Sequence, residues 1–369
     1  MPDESRGAPN AQFLRACRRL AVDRTPIWLM QQAGRYMPEY RALRAQYSML
    51  DIIASPELAA QVTMQPVQAF DVDAAIIFAD ILPPLIGMGL DLEFVKGDGP
   101  RINNRIESAR DADMLGAPPA DETMAPTLQA IRLVKGELAS RGIPLIGFAG
   151  APFTLACYAI EGGGSKTFER AKAFMYAEPA AWARLMRKLV TVVADLLTAQ
   201  ARAGADVLQV FDSWAGVLSP YDYDRYVRPH AESLYLALAS AHVPVINFST
   251  GTAGIIEQVA ACGGDVVGID WRTPIDVAWS RIGADRAIMG NLDPLLLMAP
   301  WRDLRAQVDD ILRRAEGRPG HIFNLGHGVL PGTPVDNVRR LVDYVHERSA
   351  ASGGAVMPDE RRVEEDARA

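Results

Sequence analysis

One aspartate, one histidine, one tyrosine and a cluster of arginines are the residues through which this chain can do chemistry. Asp80 stands two residues beyond the apolar run 74–78, with only Ala79 between, and apolar chain follows it (FADILPP). A carboxylate so flanked must find donors or bear the cost of desolvation. It can serve as acid, base or counter-charge to a cation; a helix N-cap is the alternative. His327 lies between two glycines in NLGHGVLPGTP, where a ligand can approach the backbone. The other four histidines, His230, His242, His321 and His346, lack that setting; a loop imidazole bonded to nearby carbonyls is the alternative for His327. Arg35 follows Gln31, Gln32, Ala33 and Gly34, with Arg41 and Arg44 close behind. A guanidinium grips a carboxylate or phosphate with two parallel hydrogen bonds, although a solvated surface would also hold such arginines.

Two further segments carry polar groups in apolar settings. Tyr158 belongs to GFAGAPFTLACYAIEGGGS, whose run of glycines lacks the lysine and spacing of a phosphate loop. That run reads as a flexible connection before a helix at Lys166. Ser213, in VFDSWAG, has no GxSxG context and no obvious base, so it reads as a hydrogen-bond donor rather than a nucleophile.

These residues must be held by something, and the chain supplies regular elements between them. Eight apolar runs recur, at 26–30, 74–78, 144–148, 206–211, 244–248, 265–269, 286–290 and 321–325. Helical patterns separate most of them. The clearest spans 179–203, with Leu185, Leu189, Val192, Val193, Leu196 and Leu197 on one stripe, Pro179 at the start and Gly204 at the exit. Continuous apolar strands alternating with helices predict a parallel sheet covered on its faces. Eight units predict an α/β fold of the single (β/α)8 TIM-barrel type across 11–349. A doubly wound open sheet is the rival, but no GxGxxG follows the first run. The barrel places functional residues after strand C-termini, where Gln31 to Arg35, Asp80, Ser213 and His327 all fall.

Composition narrows the partners. A net charge of -7 and 22% charged residues suit a globular chain and argue against nucleic-acid binding. Cys17, Cys157 and Cys262 are far apart, with no metal-ligand spacing and no disulfide framework. No signal peptide or membrane segment is predicted: the uncharged run 142–160 is broken by glycine and proline. A cytoplasmic protein is expected, with residues 1–10 as a disordered leader and 350–369 as a disordered polar tail.

Taken together, PIWLMQQAGRYMPEYR, IIFADILPPLIGMG, GFAGAPFTLACYAIEGGGSKTF, QVFDSWAGVLSP and FNLGHGVLPGTPVDNV resemble the uroporphyrinogen decarboxylase family, in the family's order and over most of 13–348. The resemblance implies a (β/α)8 barrel, a homodimer, and removal of carbon dioxide from the four acetate side chains of a cyclic tetrapyrrole without cofactor or metal. It implies that Asp80 accepts from pyrrole N–H groups and stabilises a cationic ring. Arg35 would bind a substrate carboxylate, and Tyr158, Ser213 and His327 would contact the acetate and propionate groups. Phe78, Phe148 and Phe211 would line the pocket. Asp80, Arg35 and Tyr158 are the implied catalytic residues; Gln31, Gln32, Ala33, Gly34 and Arg44 join the implied substrate-binding set.

One residue departs from the pattern. The family motif reads MRQAGR where this chain reads MQQAGR, so Gln31 replaces an arginine. An amide donates a hydrogen bond but carries no charge and cannot act as an acid. A binding protein that has lost turnover is therefore one alternative. A related zinc-dependent methyltransferase is another, but no cysteine lies two residues after a histidine.

Overall fold

The computed structural model describes residues 11–95 and 99–350. The expected leader 1–10, and the expected tail apart from Ala350, lie outside the described residues. The strands, in chain order, are β1 (Ala75–Ile76), β2 (Leu92–Val95), β3 (Gly99–Ile102), β4 (Leu145–Gly150), β5 (Val207–Asp212), β6 (Val245–Ser249), β7 (Val266–Gly268), β8 (Ala287–Leu292) and β9 (His321–Leu325). Strands β2 and β3 form a separate antiparallel hairpin. The other seven make one sheet in the order β1-β4-β5-β6-β7-β8-β9, every pairing parallel.

The first apolar run, 26–30, is the eighth stave, and it is not a regular strand. It lies between β9 and the entry to β1. Phe323 N–H donates to Pro26 carbonyl at 2.8 Å, and Asp73 N–H donates to Ile27 carbonyl at 2.8 Å. Trp28 N–H makes a long bond of 3.4 Å to Phe323 carbonyl, and side chains supply several of the other partners. Ile27 N–H donates to Asp73 Oδ2 at 2.8 Å, and Met30 N–H to Asn324 Oδ1 at 3.0 Å. The Gln32 amide accepts from Leu29 N–H at 3.0 Å and donates to Ala74 carbonyl at 2.9 Å. Every buried backbone donor still needs a partner, and here polar side chains supply several. The barrel closes on seven regular strands and one side-chain-stapled stave.

Alternation along each strand divides its side chains between two cores. Trp28, Met30, Ile76, Ile146, Val207, Ile246, Phe248, Met289 and Ile322 pack inside the barrel, and Phe13, Ala16 and Cys17 of helix Ala11–Cys17 join that cluster. The opposite faces, such as Leu208 and Val210, pack under the surrounding helices. The longest helix, Pro179–Ala203, buries the predicted stripe from Leu185 to Leu197, and Gly204 takes a φ of 123° to leave it. The glycine run 162–165 departs from expectation. It is docked rather than free: Gly162 carbonyl accepts from Ile102 N–H at 2.8 Å, Gly163 pairs with Arg101, and the next helix starts at Glu169, after Lys166. Among the described residues no helix is long and apolar enough to cross a membrane.

Candidate active site

A cleft of about 380 Å³ opens at the C-terminal ends of the strands. Its floor is aromatic. Phe148 meets Phe211 edge to face at 5.4 Å between ring centres, and Phe211 meets Phe248 at 5.6 Å. These rings top the barrel interior because the runs 144–148, 206–211 and 244–248 each end on phenylalanine. Phe78 ends its own run likewise and forms a wall, 5.5 Å from the Tyr40 ring. A floor of ring edges and faces suits a large guest with apolar, electron-rich faces.

Asp80 stands at the edge of this floor. Its stave is held from behind: Thr63 Oγ1 accepts from Phe78 N–H at 2.8 Å while donating to Ala59 carbonyl at 2.7 Å. Asp80 Oδ1 accepts Leu82 N–H at 2.9 Å, which turns the chain into helix Pro83–Gly87. The capping alternative does not hold: Leu82 is the N-cap of that helix and takes no side-chain cap, so the Asp80 oxygen serves the preceding turn. Burial raises the Asp80 pKa above the ordinary carboxylate value; the Leu82 N–H, the Arg35 charge and the Ile81 N–H oppose the rise.

Arg35 reaches the same space from the loop after the first stave. A tight turn, with Gln32 N–H donating to Leu29 carbonyl at 2.9 Å, puts Gln31 at a φ of 57°. That conformation is unusual for a side chain other than glycine, asparagine or aspartate, and it aims Gln31 at the cleft. Gln31, Ala33, Gly34 and Arg35 all line the cavity. The Arg35 side chain is exposed and has no ion-pair partner among the described residues, yet its charge is felt at Asp80, Tyr40 and His327. Two residues of this segment do not line the cleft. Gln32 is 1% exposed, and both ends of its amide are committed to the barrel seam, so it staples the stave rather than meeting a ligand. Arg44 donates to Tyr47 carbonyl at 2.6 Å and interacts with the Tyr40 hydroxyl, outside the residues that line the cavity.

Tyr158 and Ser213 come from the opposite side. Helix Pro152–Glu161 carries Tyr158, whose ring lies 5.8 Å from Trp214. Burial, then the Asp80 charge, pushes its phenol up to about 12, so it stays a donor. Ser213 lines the cleft just past β5. The turn that carries it is fixed by Asp212, which points outward: Thr154 Oγ1 donates to Asp212 Oδ1 at 2.7 Å, and Trp214 N–H donates to Thr154 Oγ1 at 3.3 Å. Burial pushes the Asp212 carboxyl up to about 6.

His327 faces them across the cavity. Its ring opens to the cleft, but the walls around it strip away enough water that burial is the first cause of its lowered pKa. The Arg272 cation is the second, and the Arg35 cation adds to it. A neutral imidazole between two cations offers one donor and one acceptor.

Comparisons with known proteins bear on what this cleft serves. The uroporphyrinogen decarboxylase (URO-D) family model matches residues 8–348. The chain is 58% identical over 352 residues to a uroporphyrinogen decarboxylase of Chloroflexus aurantiacus, covering 94% of this chain and 99% of that one. The chain belongs to the uroporphyrinogen decarboxylase family. Other members include one from Roseiflexus at 54% identity, covering 92% and 99% of the two chains, and one from Carboxydothermus hydrogenoformans at 49%, covering 93% and 98%. Among solved structures, a methyltransferase from Methanosarcina mazei superposes with a TM-score of 0.77 at 18% identity, covering 92% of this chain and 99% of that one. At that identity it speaks for the barrel alone.

The cleft of this family member also uses residues that the sequence reading passed over. Phe248, Tyr40, Met49, Trp214, Val329 and the hairpin residues Phe94 and Pro100 all line it. Only Phe248 had a signal, as the fourth phenylalanine to end an apolar run.

Proposed function

We propose that this protein removes the four acetate carboxylates of uroporphyrinogen as carbon dioxide, leaving methyls, in tetrapyrrole biosynthesis. One observation carries the reading beyond family membership: Asp80, a carboxylate held by no side chain and only by N–H groups of its own turn, lines a cleft with an aromatic floor and a ring of donors. An acetate on an electron-rich pyrrole cannot lose carbon dioxide until the ring accepts the bond's electrons. A proton added to a ring carbon makes that sink. The carbon–carbon bond then breaks, its pair flowing into the cationic ring and leaving an exocyclic methylene. A second proton turns the methylene into methyl as the first leaves the ring carbon, so the net uptake is one proton per carbon dioxide.

Asp80 is the group for the cationic stage. Pyrrole N–H groups donating to its carboxylate offset the burial that raises its pKa, and the anion stabilises the ring charge better than water would. Arg35 binds and orients a side-chain carboxylate, while Tyr158, Ser213 and neutral His327 donate to others. Gln31 can hold a carboxylate oxygen by its amide but delivers no proton. The residues supply charge and orientation and the substrate ring supplies the electron sink, so the reaction runs without cofactor, in a cytoplasmic homodimer. Incubation with uroporphyrinogen under anaerobic conditions, followed by chromatography, should yield coproporphyrinogen. Folded protein that releases no acetate carboxylate defeats the reading.

A further inference from the structure

The glycines on either side of His327 are contact points for two different loops. A side chain on Gly328 would run into the Gln31 amide, and one on Gly326 into the Trp271 backbone. His327 is thus wedged between a neutral side chain on one flank and the segment 270–273 on the other. That second segment is built to be rigid. Asn291 Nδ2, from the penultimate residue of β8, donates to Asp270 carbonyl at 2.8 Å and to Thr273 carbonyl at 2.7 Å. Asp270 accepts from Gly251 N–H at 2.6 Å and from Arg272 N–H at 2.9 Å.

Arg272 is displayed on this frame. Its guanidinium carbon lies 4.3 Å from the centre of the Trp271 ring, and one nitrogen pairs with Asp270 Oδ2. The stacking fixes the plane and the ion pair fixes one edge, so little entropy remains to be lost when a ligand takes another. The Arg272 side chain is still 51% exposed, against 5% for Asp270. Asp270 divides its charge among three N–H donors. At the His327 ring the Arg272 cation accordingly outweighs the Asp270 anion.

We propose that Arg272, which stands just outside the residues that line the cavity, is a carboxylate-binding residue that holds a peripheral carboxylate of the substrate where it projects past the His327 side of the mouth. It complements Arg35: two guanidiniums then flank His327, and the neutral Gln31 flank is left to hydrogen bonding. The proposal rests on the function proposed above.

Steady-state kinetics and binding of uroporphyrin, the oxidised form of the substrate, provide the test, at low and high salt, on the full chain and its variants. Arg272→Gln should raise KM and the uroporphyrin dissociation constant about 10-fold, the scale of one charge-assisted hydrogen bond. Its kcat should change little, and the salt dependence of binding should weaken. Arg272→Lys should recover most of the affinity, since a charge remains. Adding Gln31→Arg to Arg272→Gln should also recover it, from the opposite flank. Unchanged KM and binding in Arg272→Gln overturn the proposal while leaving the decarboxylase reading intact. A joint fall of kcat and thermal midpoint that lysine does not rescue also overturns it, because Arg272 would then only steady Asp270. A wild-type chain that neither binds uroporphyrin nor turns over uroporphyrinogen removes both readings.

Discussion

Two aspartates stand at opposite ends of the same stave, and their surroundings are opposite. Asp73 precedes β1 and is fully buried. Its Oδ2 accepts from Ile27 N–H at 2.8 Å and meets His346 Nε2 at 2.7 Å; its Oδ1 meets Arg24 at 3.3 Å. Asp80 follows β1, and its carboxylate meets only the backbone N–H groups of the turn it starts, Leu82 at 2.9 Å and Ile81. The lower carboxylate is spent on closing the barrel. The upper one keeps hydrogen-bonding capacity that the protein does not use. Chain position alone separates them, since the C-terminal ends of barrel strands face the cleft and the N-terminal ends face the closed floor. A carboxylate satisfied from within stabilises; one left partly unsatisfied beside a cavity awaits a guest.

The largest effect separating the two ends is a stability loss at the lower one. Asp73→Ala strands the Ile27 N–H and breaks the contacts with His346 and Arg24. Removing one partner of such a buried cluster costs about 3–5 kcal/mol. Urea unfolding should show that loss, while the kcat of the folded fraction stays within a few-fold. Asp80→Asn should do the reverse. The amide oxygen still serves Leu82, and a carboxylate whose pKa burial had raised is gone, so the thermal midpoint should hold or rise. Turnover should fall about 10²–10³-fold, as when one preorganised electrostatic group is lost. If the Asp73 variant loses turnover without stability, or the Asp80 variant loses stability without turnover, the contrast between the two ends is false.

A third aspartate sharpens the comparison through pH. Asp212 is buried like Asp73, yet burial outweighs its donors and lifts its carboxyl to about 6 from 3.8. A raised folded-state pKa means that the folded state holds the proton more tightly than the unfolded one. The associated stability is fully present below about pH 4 and is lost as pH rises through 6, by up to about 3 kcal/mol. Asp212→Asn removes that titration. The stability difference between wild type and variant should therefore move in the variant's favour between pH 4 and pH 8. A flat difference would show that the Thr154 hydroxyl and the nearby N–H groups satisfy the carboxylate as fully as Asp73 is satisfied.

The same contrast explains what was legible in the sequence. Strand runs and the helix Pro179–Ala203 are written in local periodicity, and a barrel fixes where their ends lie, so Asp80, Ser213 and His327 could be placed by counting. Gln31 and Gln32 show where counting stops. They are neighbours of one residue type, yet one faces the cleft at a positive φ and the other turns into the seam to bond Ala74, 42 residues away. Nothing local tells them apart. The irregular first stave is hidden for the same reason, because its staples Asp73 and Asn324 come from distant chain. Phe94 and Pro100 reach the cleft only through a hairpin whose position over the barrel is a tertiary fact. Arg272 depends on Asn291, the penultimate residue of β8, to be held in place.

The smallest expected effect tests how complete the upper end is. Gln31 lines the cleft from the flank of His327 opposite Arg272 and brings no charge. An arginine there keeps a comparable stem and adds a cation facing the same carboxylate-rich guest. One charge-assisted hydrogen bond in place of a neutral one is worth about 10-fold in kcat/KM. Gln31→Arg should raise kcat/KM for uroporphyrinogen by about that factor, with the thermal midpoint little changed because position 31 is exposed at the cleft. A gain confined to KM would mean that position 31 only binds. A gain in kcat would mean that a cation there strengthens as charge develops on the ring, and that Asp80 and Arg35 alone leave the site short of its full rate. No gain at all would mean that Arg35 and Arg272 already satisfy the carboxylates within reach, so that the mouth is as fully provided for its guest as the lower seam is for itself.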